Sequence, residues 1–161
     1  MWVNGESVGF VYIIEVIPKD RWGNLLMRKR RFYTGYTGRA IDIRYSEHIR
    51  KIASNYMKRN FPNSRKKLSY VEVVNYIPKD ELPYFRVGNK KIPYHPREYE
   101  IKRMSKDEKV RLIKSERNML LNFKPNFGRP VVILRNGWMF YDGKVKVIEE
   151  KLNMATNYYQ Y

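Results

Sequence analysis

Val8 to Ile17 reads VGFVYIIEVI, a run of branched and aromatic residues closed by Pro18. A continuous apolar run of this length, ended by a residue that cannot donate to a sheet ladder, predicts a buried strand. Outward from it, Pro18 to Arg31 (PKDRWGNLLMRKRR) predicts a long basic loop, and Phe32 to Thr37 a second short strand completing a hairpin. Gly38 breaks that strand. From Ala40 to about Lys58, Ile41, Tyr45, Ile49 and Ile52 recur at spacings of three and four, which predicts a helix carrying Arg44 and His48 together on another face. After a loop at Pro62-Asn63, Leu68 to Ile77 (LSYVEVVNYI) predicts a third strand.

Glu81 to Met104 scatters Pro83, Pro93 and Pro96 among aromatic residues around Gly88-Asn89, as an inserted hairpin would. Ser105 with Glu108 forms a capping-box pattern, and Val110, Ile113, Leu120 and Leu121 predict a second helix running to about Asn122. The turn pairs Asn136-Gly137 and Asp142-Gly143, set between the runs VVIL, WMFY and KVKVI, predict a small meander. The expected fold class is therefore α+β: a three-stranded antiparallel sheet flanked by helices, with an insertion at about 81–104 and a C-terminal β extension. Residues 1–128 are expected to form one domain, with 129–161 packed on it.

Charge bounds the partner. In 161 residues, 33 Lys and Arg face 16 Asp and Glu, a net charge of +17, and such a surface favours a polyanion. No apolar run approaches the roughly 18 residues of a spanning helix, and Met1 to Ser7 lacks a signal core, so no membrane partner and an intracellular, cytoplasmic protein are expected. There is no cysteine and the histidines are His48 and His95. A bound metal would rest mainly on carboxylates, which favours Mg2+ or Mn2+.

Phosphodiester hydrolysis requires a base for water, a cation for the charge gathering on phosphorus, and help for the departing oxygen. The sequence offers Tyr12 and Tyr33 in adjacent strands, Arg44 on the next helix, and Glu116 on the later one. Taken alone, Tyr12 is a core aromatic, Arg44 a solvated helix charge and Glu116 a partner for neighbouring cations.

Their order resembles the GIY-YIG nuclease family. Phe10-Val11-Tyr12 stands at the place of the first motif and Tyr33-Thr34-Gly35 at that of the second. Arg44 and His48 keep the family's spacing of four within YTGYTGRAIDIRYSEH, and Glu116 stands nine residues before Pro125 in SERNMLLNFKPNFG. The resemblance covers roughly Gly9 to Gly128 and implies a metal-dependent endonuclease. It implies that Glu116 holds one divalent ion, Arg44 neutralises phosphate charge, and Tyr12 is the general base, its pKa lowered by neighbouring cations. Tyr33 would position water or share its proton, and His48 contact phosphate or pack.

Arg28, Lys29, Arg30 and Arg31, with Arg65, Lys66 and Lys67, are candidate backbone contacts, and Tyr36 and Arg39 candidates along the nucleic-acid path. The expected partner is DNA, duplex or branched, with RNA a further candidate. A homodimer is one option for cutting two strands, and a virus or mobile element is among the sources that use such domains. The alternative function is a non-catalytic nucleic-acid-binding protein on the same scaffold, and behind it an RNA-binding protein whose binding ignores metal.

Overall fold

The computed structural model describes residues 1–50, 63–124 and 129–148. The architecture is mixed α+β, with antiparallel sheets and, among the described residues, three α-helices. Strand β2 (Glu6–Ile17) is the central element. Strand β3 (Arg31–Thr37) lies along one edge of it and β4 (Arg65–Asn75) along the other, and the short β1 (Trp2–Val3) extends this first sheet to four strands rather than the expected three.

The apolar run of β2 is continuous because both of its faces are covered. Phe10, Tyr12, Ile14 and Val16 face helix α1 (Ile41–Ile49) and the C-terminal strands, in one core with Ile41, Tyr45, Leu68, Val71, Leu134 and Phe140. Val11 and Ile13 face the other way, onto Tyr70, Ile101 and Leu112. That second layer is made by α2 (Pro96–Lys102) and α3 (Lys106–Lys114). A bulge opposite the Ile13–Ile14 step, where Tyr70 pairs with Ile13 and Leu68 with Ile14, takes up one extra residue of β4, Ser69.

The interval 81–104 holds the expected hairpin, β5 (Tyr84–Val87) with β6 (Lys90–Pro93), turning at Gly88 with φ +62°. It also holds α2, which the prolines masked. Pro96 occupies the first helical position, where its missing N–H is harmless, and His95 caps the helix by accepting from Arg97 N. The C-terminal meander, β8 (Val131–Leu134), β9 (Trp138–Tyr141) and β10 (Lys144–Val147), turns at Gly137 and at Asp142-Gly143, all three with positive φ. It is joined by a fourth strand, β7 (Leu120–Lys124).

That strand corrects the second-helix expectation. Helix α3 starts at the Ser105 cap as expected but ends at Ser115, so Leu120 and Leu121 belong to β7 rather than to a helical face, and Glu116 stands in a turn. Asn118 is the local cause. Its buried amide donates to Ser69 O and Ile113 O, and its Oδ1 accepts from Val71 N and Leu120 N, so the chain is turned away from helix onto the edge of β4. Helix α1 begins one residue later than expected and its capping residue is Arg50. The expected continuation through Ile52 to Lys58, the Pro62 loop, Pro125 and the stretch from Glu149 lie outside the described residues. Arg65, Lys66 and Lys67 open β4 instead of lying in a loop, paired with Ile17, Val16 and Glu15. Among the described residues no helix is long and apolar enough to cross a membrane.

Candidate active site

Tyr12 points from the middle of β2 toward α1, which the four-residue spacing of Arg44 and His48 turns to meet it. The Tyr12 hydroxyl lies 2.9 Å from His48 Nε2, and Arg44 Nε donates to the same hydroxyl at 3.2 Å. The Tyr33 ring stands edge-on to the His48 ring, with centroids 5.2 Å apart. Four of the five expected catalytic residues are thus brought together, across 36 residues of sequence in the case of Tyr12 and His48.

Gly35 makes room for this. It pairs directly with Tyr12 across β2 and β3, and a Cβ there would overlap the Tyr12 ring and hydroxyl. The glycine of the Tyr33-Thr34-Gly35 motif is therefore the seat of the other motif's tyrosine.

Burial sets the electrostatics. Tyr12 is 1% exposed and His48 0%. Burial raises the Tyr12 pKa well above the phenol range, and the opposing pull of Arg44 is the weaker influence. The expectation of a Tyr12 acidified by neighbouring cations is overturned. Burial likewise pushes His48 down to about 3, with Arg44 and Lys66 adding to it, so the imidazole is neutral. Its Nδ1 is buried and unpartnered. Arg44 stays charged, because Tyr12, Tyr33 and Glu47 together outweigh the cost of its burial.

Glu116 is exposed in the turn after α3, and it shares no hydrogen bond or ion pair with the cluster among the described residues. Its neighbour Arg117 acts on Glu72, which lies against α2 through Arg97, at 2.8 Å and 3.0 Å. The carboxylate beside the cluster is Glu47, which sequence reasoning passed over although it stands three residues from Arg44. It pairs with Arg44 at 3.4 Å and with Arg39. A carboxylate held by two guanidiniums is a poor cation ligand, and no group of three His, Asp or Glu side chains among the described residues could hold a metal ion.

Two openings reach the cluster. A cleft of about 1170 Å3 runs beside the free edge of β3, lined by Arg28, Lys29, Arg30 and Arg31, by Phe32 and Tyr33, and on its other wall by Lys102, Lys106 and Lys109. A smaller hollow of about 360 Å3 is lined by Arg39, Arg44, Tyr36 and Tyr76. Tyr33 and Arg44 are therefore the two cluster members that border open space. The three lysines were also missed. A signal existed: Lys106 and Lys109 lie in the first turns of α3, where the helix dipole disfavours cations.

The chain matches no protein family, no curated protein and no solved structure with which it was compared. Whatever is inferred of its activity rests on this geometry and on the motifs.

The remaining expected contacts divide. Arg28, Lys29 and Arg31 are exposed beside the cleft, whereas Arg30 also pairs with Glu15 at 3.2 Å. Arg65 and Lys67 are exposed on β4. Tyr36 borders the smaller hollow and is also packed: its ring covers Gly9 and lies 4.7 Å from that of His95, and its hydroxyl accepts from Ile77 N.

Proposed function

We propose that this chain is a nuclease of GIY-YIG type that hydrolyses phosphodiester bonds in DNA, with Arg44 and Tyr33 meeting the substrate and Tyr12 and His48 acting as positioning residues behind them. The observation that carries the reading is the joint contact of Tyr12 with His48 and Arg44, flanked by Tyr33. A histidine, an arginine and two tyrosines from three elements have little reason to converge in a core that apolar residues would fill better. Arg44 borders the smaller hollow, where it can neutralise charge gathering on a phosphate, and Tyr33 borders the basic cleft, where its hydroxyl can hold the attacking water. Burial disfavours the Tyr12 phenolate, so Tyr12 fixes Arg44 and His48 and is not assigned to proton abstraction.

The test is nicking of supercoiled plasmid and cutting of single-stranded and branched oligonucleotides, with Mg2+, with Mn2+ and with chelator. The native protein is expected to cut, and Arg44→Ala and Tyr33→Phe to lose about 100-fold or more in rate, the scale of removing one transition-state contact. Native-like rates in both variants would overturn the assignment. Glu116→Gln decides the metal: a variant that still cuts removes Glu116 from the chemistry, and one that binds but no longer cuts restores it.

A second reading, a non-catalytic nucleic-acid-binding protein, is favoured by one observation, the placement of Glu116 outside the cluster. It stands if the native protein binds DNA yet cuts no member of the panel under any metal condition.

A further inference from the structure

The cleft beside β3 has two cationic walls that come from distant parts of the chain. One is the loop and strand start Arg28 to Arg31. The other is Lys102 at the end of α2 with Lys106 and Lys109 on α3. Among its described lining residues there is no carboxylate. Lys102 pairs with Glu98 at 3.6 Å, while Lys106 and Lys109 make no ion pair among the described residues. Burial and the nearby Lys102 together hold Lys109 below the ordinary lysine pKa. Like charges gathered in this way are stable only because an anion or solvent lies between them.

The lining narrows the anion. Phe32 and Tyr33, at successive positions of β3, are half-buried and border the cleft, Phe32 packed on the α2–α3 side of the sheet and Tyr33 on the α1 side. Cations along a groove bordered by aromatic residues suit a single strand, whose backbone meets the charges while its bases stack.

We propose that this cleft is a single-strand binding site, in which Lys106 and Lys109 contact successive phosphates opposite Arg28 to Arg31 and lead the strand to Tyr33. The assignment rests on the nucleic-acid reading above and adds to it the form of the substrate: a frayed, flapped or single-stranded segment enters beside β3. Tyr33 links the two, since the same residue borders the cleft and faces His48.

The experiment is fluorescence anisotropy of a labelled oligothymidylate and of a blunt hairpin duplex, titrated in chelator over a salt series with the native protein and with a Lys106→Gln/Lys109→Gln double variant. Both substituted positions lie outside the Tyr12 cluster, and thermal melts confirm that the variant is folded. The native protein is expected to bind the single strand with a steep salt dependence. The double variant is expected to lower the magnitude of that slope by about 1.4, two contacts at about 0.7 each, and to leave duplex affinity within twofold. An unchanged single-strand slope in the variant overturns the site, and an equal loss on both substrates overturns the single-strand assignment. Native protein that binds neither substrate refutes the nucleic-acid reading itself, a result distinct from the other two.

Discussion

The two sides of strand β3 handle polar groups in opposite ways. Toward β2 and α1, polar atoms are few and buried, and one hydroxyl, one imidazole nitrogen and one guanidinium lie within hydrogen-bonding distance. Toward the free edge, cations are many and converge on a cleft without a carboxylate among its described lining. Geometry is stored in the first and charge in the second. Substitutions should separate them, because the buried side answers in stability and rate, and the open side in binding and salt dependence.

The largest stability effect should come from the support beneath the buried side. Asn118→Ala orphans four backbone groups, two of them on β4 beside Tyr12's strand. With each unsatisfied buried group costing about 1–3 kcal/mol and partial relaxation expected, urea unfolding should show a loss of at least about 3 kcal/mol. A loss under 1 kcal/mol would mean that the turn after α3 does not depend on this amide.

Gly35→Ala should follow, at about 1–3 kcal/mol, because a methyl group there displaces the Tyr12 ring from its seat. Activity should fall together with stability. A stable, active variant would show that the ring can move without harm.

Acid probes His48. Its folded pKa, about 3, lies below the unfolded value near 6.5, so the unfolded chain gains a proton first as pH falls. The stability contributed by the neutral, buried ring is whole above about pH 6.5 and is lost progressively toward pH 3, at about 1.4 kcal/mol per pH unit. Between pH 6.5 and 5 the native protein should lose about 2 kcal/mol in urea melts, and His48→Asn should flatten that window whatever its own stability. An equally steep decline in His48→Asn would place the acid sensitivity elsewhere. Asp42 runs the other way: burial raises its pKa, so its folded form takes up a proton more readily than its unfolded form and opposes acid loss.

The smallest effect is expected at Glu116. Exposed in a turn, its replacement by Gln should change stability by less than about 0.5 kcal/mol. A larger change would reveal a contact formed by Glu116 in solution.

Much of the buried side was legible because its signals are local. A ten-residue apolar run, a glycine-bounded strand and a spacing of four between Arg44 and His48 each specify an element or a face, and the elements meet through strand pairing. What was not legible depended on tertiary context. The run Asn118 to Phe123 has leucine and methionine at helix-compatible spacing, and only the hydrogen bonds of Asn118 and the pairing with β8 make it extended. The protonation of Tyr12 was misjudged for a related reason: net charge suggested acidification, but the depth of burial decides it, and depth is not written in composition. The lysine wall was missed because Lys102 and Lys109 are brought opposite Arg28 only by the packing of α2 and α3 on the far face of β2.

Asn118 also has a consequence for how the chain behaves in a crowd. An outer strand normally leaves a row of donors and acceptors ready to recruit a neighbouring chain. Here a side-chain amide takes the place of a peptide group along β4, accepting from Val71 N and donating to Ser69 O, while Met119 N completes the row at Val71 O. Asn118 and Met119 thus cover this flank of the sheet from Ser69 to Val71, and along β3 the cations beside the cleft repel an approaching second copy.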